Sequence, residues 1–307
     1  MKAAHTMRHL LSATCLASFA LCATALHAQQ DTLDKIQDSH TVNLGAREAS
    51  GVMSFTTGNG KYTGFHVEIC ERALGLIKDD LKLPKLNIQY QMVTAQNRIP
   101  LVKNGTVDLV CGTTTNNAIR QQEVDFAPTL YVEEVRMAVA TNSGITSLEN
   151  LGGKTVAATT GTTSVTLLRK YDREQNLGLN VLMAKDNAEC ILLLDTGRAA
   201  ACVADGQILA AGISRLRAPD NYAIVGAPLS VEPIAIMLSK QSPKFKQAFN
   251  DKIRALLASG EVAKIYEKWF MQPVAPATRA INLPASAATQ AAWNKPNTDP
   301  VEAYVVQ

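Results

Sequence analysis

From residue 32 onward, short apolar runs alternate with amphipathic stretches, and the two hydrophobic periods trade places along the chain. Thr32 caps a short helix, residues 41–46 read as a buried strand, and Asn59-Gly60 turns between two short strands. A helix over 65–77, a strand over 86–93, a helix over 97–103 closed by Asn104-Gly105 and a strand over 108–111 ending in Gly112 make one α/β unit. Residues 136–140 lead out of it, and Asn142-Ser143-Gly144 breaks the pattern. The second unit has strands over 155–159, 180–183, 200–204 and 222–225, with helices over 164–175, 188–194 and 207–216 between them; Gly197 stops the middle helix. Beyond Pro228 come a strand over 233–239 and helices over 243–258 and 261–270, which have no partners of their own and are expected to rejoin the first unit. The expected architecture is α/β in two lobes. The chain crosses between them twice, near Ala140 and near Glu232, on two hinge strands. Lobe 1 takes residues 29–139 and 232–271, lobe 2 takes 140–231, and the proline-bearing residues 272–307 read as a C-terminal surface tail.

The first 28 residues follow another rule. Lys2 and Arg8 precede an apolar stretch over 10–26, the layout of an export signal cleaved after Ala28 or Ala25. No later apolar run reaches the roughly 18 residues a membrane span needs. The chain of 307 residues carries 30 basic and 27 acidic side chains and is 47% hydrophobic. Removal of residues 1–28 takes Lys2, Arg8 and no acid, leaving 28 basic against 27 acidic. A balance this close to neutral excludes a phosphate-tracking surface, so no nucleic-acid partner is expected, and the apolar fraction excludes disorder. Export also places Cys70, Cys111, Cys190 and Cys202 in an oxidising compartment, where four cysteines allow three pairings or remain as small buried thiols.

Catalytic signatures are absent: there is no H-E-x-x-H, C-x-x-C, G-x-S-x-G, S-x-x-K or Walker A loop. Only His40 and His66 remain after the signal, so no metal site, cofactor or catalytic residue is expected. Polar segments instead cluster at strand ends: Gly45 to Ser50 with Arg47, Ala95 to Arg98, Gly112 to Arg120, Thr160 to Ser164, and Ala204-Asp205. Ligands of open α/β sheets bind outside the carboxyl ends of strands, so these segments converge on one cleft between the lobes. Two of them are Thr/Gly-rich turns opening helices, where free N–H groups and the helix dipole accept an anion.

The phrases Gln96-Asn97-Arg98-Ile99-Pro100-Leu101, Asn104-Gly105-Thr106-Val107-Asp108, Cys111 to Asn117, Thr160 to Ser164 and Ala184-Lys185-Asp186 resemble the periplasmic glutamate/aspartate-binding proteins of ABC importers, in the family of polar amino-acid binding proteins. The likeness runs from Thr32 to the Asn294-Lys295-Pro296-Asn297 segment. It implies the type II two-lobe periplasmic-binding-protein fold, a periplasmic location, an ABC permease as partner and a monomer.

The resemblance also implies roles. Arg120 takes an α-carboxylate, shared by Thr115 and by Thr162-Thr163, while Asp205 and Thr113 receive the ammonium. Arg47 and Arg98 are left for an acidic side chain; three arginines against Asp205 give the site a formal +2. Two positions depart from the family: Ala95 replaces a serine, and Asn187, another expected ligand contact, replaces a histidine. The family partner of the cysteine before Gly112 is Ile236 here, so Cys111 is either free or paired elsewhere, Cys70 being nearest in topology. The same architecture also carries exported lyases, for which His66 and Glu48 would be the acid/base candidates. A ligand-sensing module docking on a receptor would share every site residue, and glutamine is an alternative ligand.

Overall fold

The computed structural model describes residues 30–275, 277 and 279–304; the export signal expected over 1–28 lies outside the described residues. Asp31, not Thr32, caps the first helix α1 (Thr32–Ser39): its carboxylate accepts from the Leu33 N–H at 2.9 Å. Thr32 is the first helical residue, and its hydroxyl instead contacts Asp108 and Ser242. The first lobe continues with β1 (Thr41–Ala46), β2 (Ala49–Ser50), β3 (Ser54–Gly58), β4 (Lys61–Thr63), α2 (Phe65–Asp80), β5 (Asn87–Met92), α3 (Arg98–Lys103), β6 (Leu109–Thr115), α4 (Ala118–Gln121) and β7 (Asp125–Phe126). The long strand β8 (Tyr131–Ala140) leads into β9 (Thr155–Thr159), α5 (Thr163–Gln175), β10 (Asn180–Ala184), α6 (Asn187–Asp195), β11 (Ala201–Asp205) and α7 (Gly206–Ile213). The return strand β12 (Tyr222–Leu238) is followed by α8 (Pro243–Ala258), α9 (Glu261–Tyr266), a π turn over Glu267–Met271 and α10 (Ala287–Asn294).

One sheet runs through both lobes in the order β10-β9-β11-β8-β12-β6-β1-β5, with β7 on β12. β1 lies parallel to β5 and β6 on one side, and β9 parallel to β10 and β11 on the other; β8 and β12 join the halves as an antiparallel pair. Strands buried on both faces need continuous apolar or small residues, as all seven positions of β6 and Val156 to Thr159 of β9 show.

Several boundaries differ from the sequence expectation for identifiable reasons. β6 does not stop at Cys111 but continues through Gly112 to Thr115, because the threonines find ladder partners on β12, Ile234 opposite Thr115. Residues 222–225 and 233–239 are not separate strands. They are one strand whose register shifts between Val225 and Ser230, and Pro228 sits in that shift, where no ladder N–H is required. The first crossing also falls earlier than Ala140: Tyr131 belongs to the first core, whereas Val135, Met137 and Val139 belong to the second. The segment expected as a surface tail is largely exposed and anchors to the first lobe through its helix. Thr289 is fully buried and its hydroxyl accepts from the Val132 N–H at 3.0 Å, and Trp293 donates to the Leu130 carbonyl at 2.7 Å.

The first core gathers Val42 and Leu44 of β1, Phe65, Ile69 and Leu74 of α2, and Phe245, Phe249 and Phe270 from the end of the chain. Two disulfides reinforce the lobes: Cys70–Cys111 ties α2 to β6 across 41 positions, and Cys190–Cys202 ties α6 to β11 across 12. Both pairings were open in the sequence.

Candidate functional site

A cavity between the lobes is lined by all nine expected contact residues: Arg47, Arg98, Thr113, Thr115 and Arg120 from lobe 1, and Thr162, Thr163, Asn187 and Asp205 from lobe 2. Its lining also includes Thr159, Ser164 and Ile208. Most of these residues stand at or beside the end of an element. Arg47 follows β1, its N–H donating to Ser54 Oγ at 2.9 Å. Arg98 opens α3 behind a reciprocal turn in which Thr94 N donates to Asn97 Oδ1 and Asn97 N to Thr94 Oγ1, at 2.7 and 3.1 Å. Arg120 sits in α4, whose N-cap Asn117 accepts from the Arg120 N–H at 2.8 Å, while Arg120 Nη1 donates to the Thr115 carbonyl at 2.8 Å. Thr113 donates its hydroxyl proton to Ser50 at 3.3 Å.

On the opposite wall, Thr162 spends its hydroxyl proton on the Thr159 carbonyl at 2.7 Å. No side chain caps α5, so the amides of its first turn stay free at the cavity edge. Asp205 ends β11 and does not cap α7; Gly206 N instead donates to Glu133 Oε1 at 3.1 Å. Asn187 joins the lobes, its Nδ2 donating to the Ala49 carbonyl and its Oδ1 accepting from Thr159 Oγ1, both at 2.7 Å. Gln207 Oε1 likewise accepts from Val52 N across the cleft at 3.2 Å. These contacts describe a closed cleft.

Glu232, expected only as a crossing point, does not line the cavity but holds two residues that do. It is buried, and its Oε2 accepts from Thr115 Oγ1 at 2.7 Å and Thr163 Oγ1 at 2.8 Å. Two expectations change with it. The hydroxyls of Thr115 and Thr163 are not free to donate to a ligand carboxylate, because each has a single proton and has given it to Glu232. The charge count widens too: Asp205 acts on all three guanidinium groups and Glu232 on Arg120, so with Glu232 counted beside the expected +2 lining, three arginines meet two carboxylates. A lone glutamate in a strand has no local signal; the nearest hint is its predicted place on a crossover strand.

Burial sets the electrostatics. Desolvation pushes the Arg47 guanidinium down to about 10 against the pull of Asp205 and Asp186. It lowers Arg98 well below the usual range, helped by the like charges of Arg120 and Arg47, and lowers Arg120 against the attraction of Glu232 and Asp205. The Asp205 carboxyl is pushed up to about 7 by burial first and by Glu232 second, with the three arginines opposing. Glu133 rises well above the carboxylate range through burial and then Asp205. Arg98 is 2% exposed, and its Nε and Nη1 have no hydrogen-bond partner among the described residues.

His66 and Glu48 do not line the cavity. His66 is fully buried, donates from Nδ1 to the Gly112 carbonyl at 2.7 Å, and is pushed down to about 4 by desolvation, so its ring is neutral. Among the described residues no cluster of His, Cys, Asp and Glu could hold a metal, and no helix is long and apolar enough to cross a membrane.

Two α/β lobes closed over a charged polar cavity by a paired hinge form an architecture for capturing a small solute. The chain belongs to the bacterial extracellular solute-binding proteins, family 3, whose pattern matches residues 42–272. It is 37% identical over 278 residues to the L-glutamate/L-aspartate-binding protein of Pseudomonas aeruginosa, covering 90% of this chain and 92% of that one. The glutamate/aspartate import solute-binding protein of Escherichia coli K12 is 35% identical over 288 residues, covering 94% and 95%. A crystal structure of an ancestral amino acid-binding protein, a precursor of cyclohexadienyl dehydratase, superposes with a TM-score of 0.67 at 25% identity, covering 78% of this chain and 99% of that one.

Proposed function

We propose that this protein captures glutamate or aspartate outside the cytoplasmic membrane, as a periplasmic monomer, and hands the closed complex to the permease of an ABC importer. Arg98 carries the reading. A buried guanidinium with two donors unspent is costly unless an anion joins it, and a second cation, Arg47, lines the same cavity. An acidic amino acid supplies that anion and balances the site: its single net negative charge meets the one positive charge left by three arginines, Asp205 and Glu232. The ammonium pairs with Asp205. The α-carboxylate pairs with Arg120 and the uncapped first turn of α5. The distal carboxylate pairs with Arg98 and Arg47. The two relatives above bear names with the same ligand class.

A lyase on this fold needs an acid/base group facing its substrate. The neutral His66, tied to Gly112 outside the cavity, does not supply one, and capture without chemistry is the favoured reading. Calorimetry on refolded protein tests it. Wild type binds glutamate and aspartate; Arg120→Met loses all amino-acid binding. Arg98→Met, which removes two charge-assisted bonds of about 1.5 kcal/mol each, loses roughly 100-fold for glutamate and little for glutamine. Equal losses for glutamate and glutamine in Arg98→Met would refute the division of roles, and a wild type that binds no acidic amino acid would refute the function.

A further inference from the structure

Ligand contacts in a two-lobe protein hold the cleft shut only while ligand is present. The hydrogen bonds around Glu232 are made by the protein alone. Glu232 lies on β12, one of the two strands that pass between lobes, directly opposite Glu133 on β8. Its Oε1 accepts from Ser230 Oγ at 2.8 Å, which orients the carboxylate along its own strand. Its Oε2 takes one hydroxyl from each lobe: Thr115 at the end of β6 and Thr163 at the start of α5.

We infer that Glu232 is a positioning residue that clasps the two lobes at the hinge and orders the carboxylate-binding end of the cleft. The inference rests on the capture reading and deepens it. Thr115 pairs with Ile234 in the ladder and therefore travels with β12. Thr163 belongs to the other lobe, 69 positions away from Glu232 in the chain, so a rotation that carries α5 off the hinge must break its bond to the carboxylate. A hydroxyl bonded to a buried charged acceptor is stronger than a neutral pair such as Asn187 with Ala49.

The clasp reaches Arg120 through one residue. Thr115 gives its hydroxyl proton to Glu232 and its carbonyl to Arg120 Nη1, so carboxylate, threonine and guanidinium form a chain in which fixing one end fixes the other. With both threonine protons spent on Glu232, the α-carboxylate is left to Arg120 and the amides of α5. Glu232 thus selects which groups meet the ligand without needing to touch it.

The test compares wild type, Thr163→Val, which keeps the shape and loses the hydroxyl, Thr163→Ser, which keeps the hydroxyl, Glu232→Gln, and the Thr163→Val/Glu232→Gln double variant. Small-angle scattering of the ligand-free proteins reads lobe separation, and calorimetry reads glutamate and glutamine binding. Thr163→Val and Glu232→Gln should each be more open than wild type, Thr163→Ser should match wild type, and the double variant should be no more open than either single. Glutamate affinity in Thr163→Val should fall about tenfold, with the glutamate-to-glutamine ratio unchanged, which a fold-stability defect would not predict alongside rescue by serine. Ligand-free scattering of Thr163→Val identical to wild type, or additive effects in the double variant, would overturn the inference. Should wild type bind no acidic amino acid, the capture reading fails while the ligand-free scattering still decides the clasp.

Discussion

Gly161 of the second lobe lies against the backbone of Gln96 in the first: a Cβ built on Gly161 would stand 2.8 Å from the Gln96 Cα and 2.9 Å from the Ala95 carbonyl oxygen. Backbone atoms cannot step aside as a side chain can, and Gly161 also holds φ at +81°, a conformation that disfavours any side chain. Gly161→Ala is expected to keep two folded lobes while blocking full closure. Its affinity for the ligand should drop by 30-fold or more, and scattering should show no compaction on ligand addition. Normal compaction would show that this contact does not limit closure.

A second glycine sets the position of a cation. A Cβ on Gly112 would fall 2.8 Å from Cγ of Arg47, near the root of that side chain rather than its mobile tip. Gly112→Ala should displace the Arg47 guanidinium and weaken binding of an acidic ligand by about tenfold, or about 1.4 kcal/mol. Glutamine, which lacks the distal charge, should lose less. Calorimetry with both ligands reads the difference.

Asp205 makes capture sensitive to pH. Its carboxyl, pushed up to about 7 by burial and then by Glu232, must be ionised to pair with an ammonium. Glutamate affinity is expected to weaken as pH falls below about 7, approaching tenfold per pH unit, with a proton released on binding. Stability runs the other way. A carboxyl raised above its ordinary 3.8 favours the folded state below that value and loses that contribution as pH rises through about 7. Wild-type unfolding free energy, measured relative to Asp205→Asn from pH 4 to 8, should therefore fall as pH rises towards about 7, while the wild-type affinity grows.

The disulfides should differ in weight. Closing 41 positions removes more denatured-state freedom than closing 12, about 4 against about 3 kcal/mol by loop entropy. Replacing Cys70 and Cys111 by alanine is expected to lower the melting temperature more than replacing Cys190 and Cys202. Calorimetric melting of the two double variants, with and without reductant, checks the order.

Most elements could be read from period and punctuation, because apolar strands such as 155–159 and a proline-opened helix such as Pro243–Ala258 advertise themselves locally. The threonines that extend β6 carry no strand pattern; only the partner strand, which sets Ile234 opposite Thr115, reveals them as ladder members. The site residues were legible because cations, threonines and an aspartate recur at strand ends. The direction of a hydroxyl proton was not, and Glu232 became visible only once two distant threonines were seen to converge on it. The last helix escaped for a similar reason: Thr289 is buried against β8 and Trp293 bonds to the preceding loop, both partners far away in sequence.

The sheet order has a consequence for how the molecule is assembled. β6 lies between β1 and β12, and the first core borrows Phe245, Phe249 and Phe270 from after the second crossing. The lobe begun first in the chain is therefore finished last. Until residues beyond 230 are present, β6 offers an open edge and α2 an uncovered apolar face, both invitations to wrong pairing. The second lobe, continuous in sequence from β9 to α7, has no such wait, so its folding can precede and template the return strand that completes its elder neighbour.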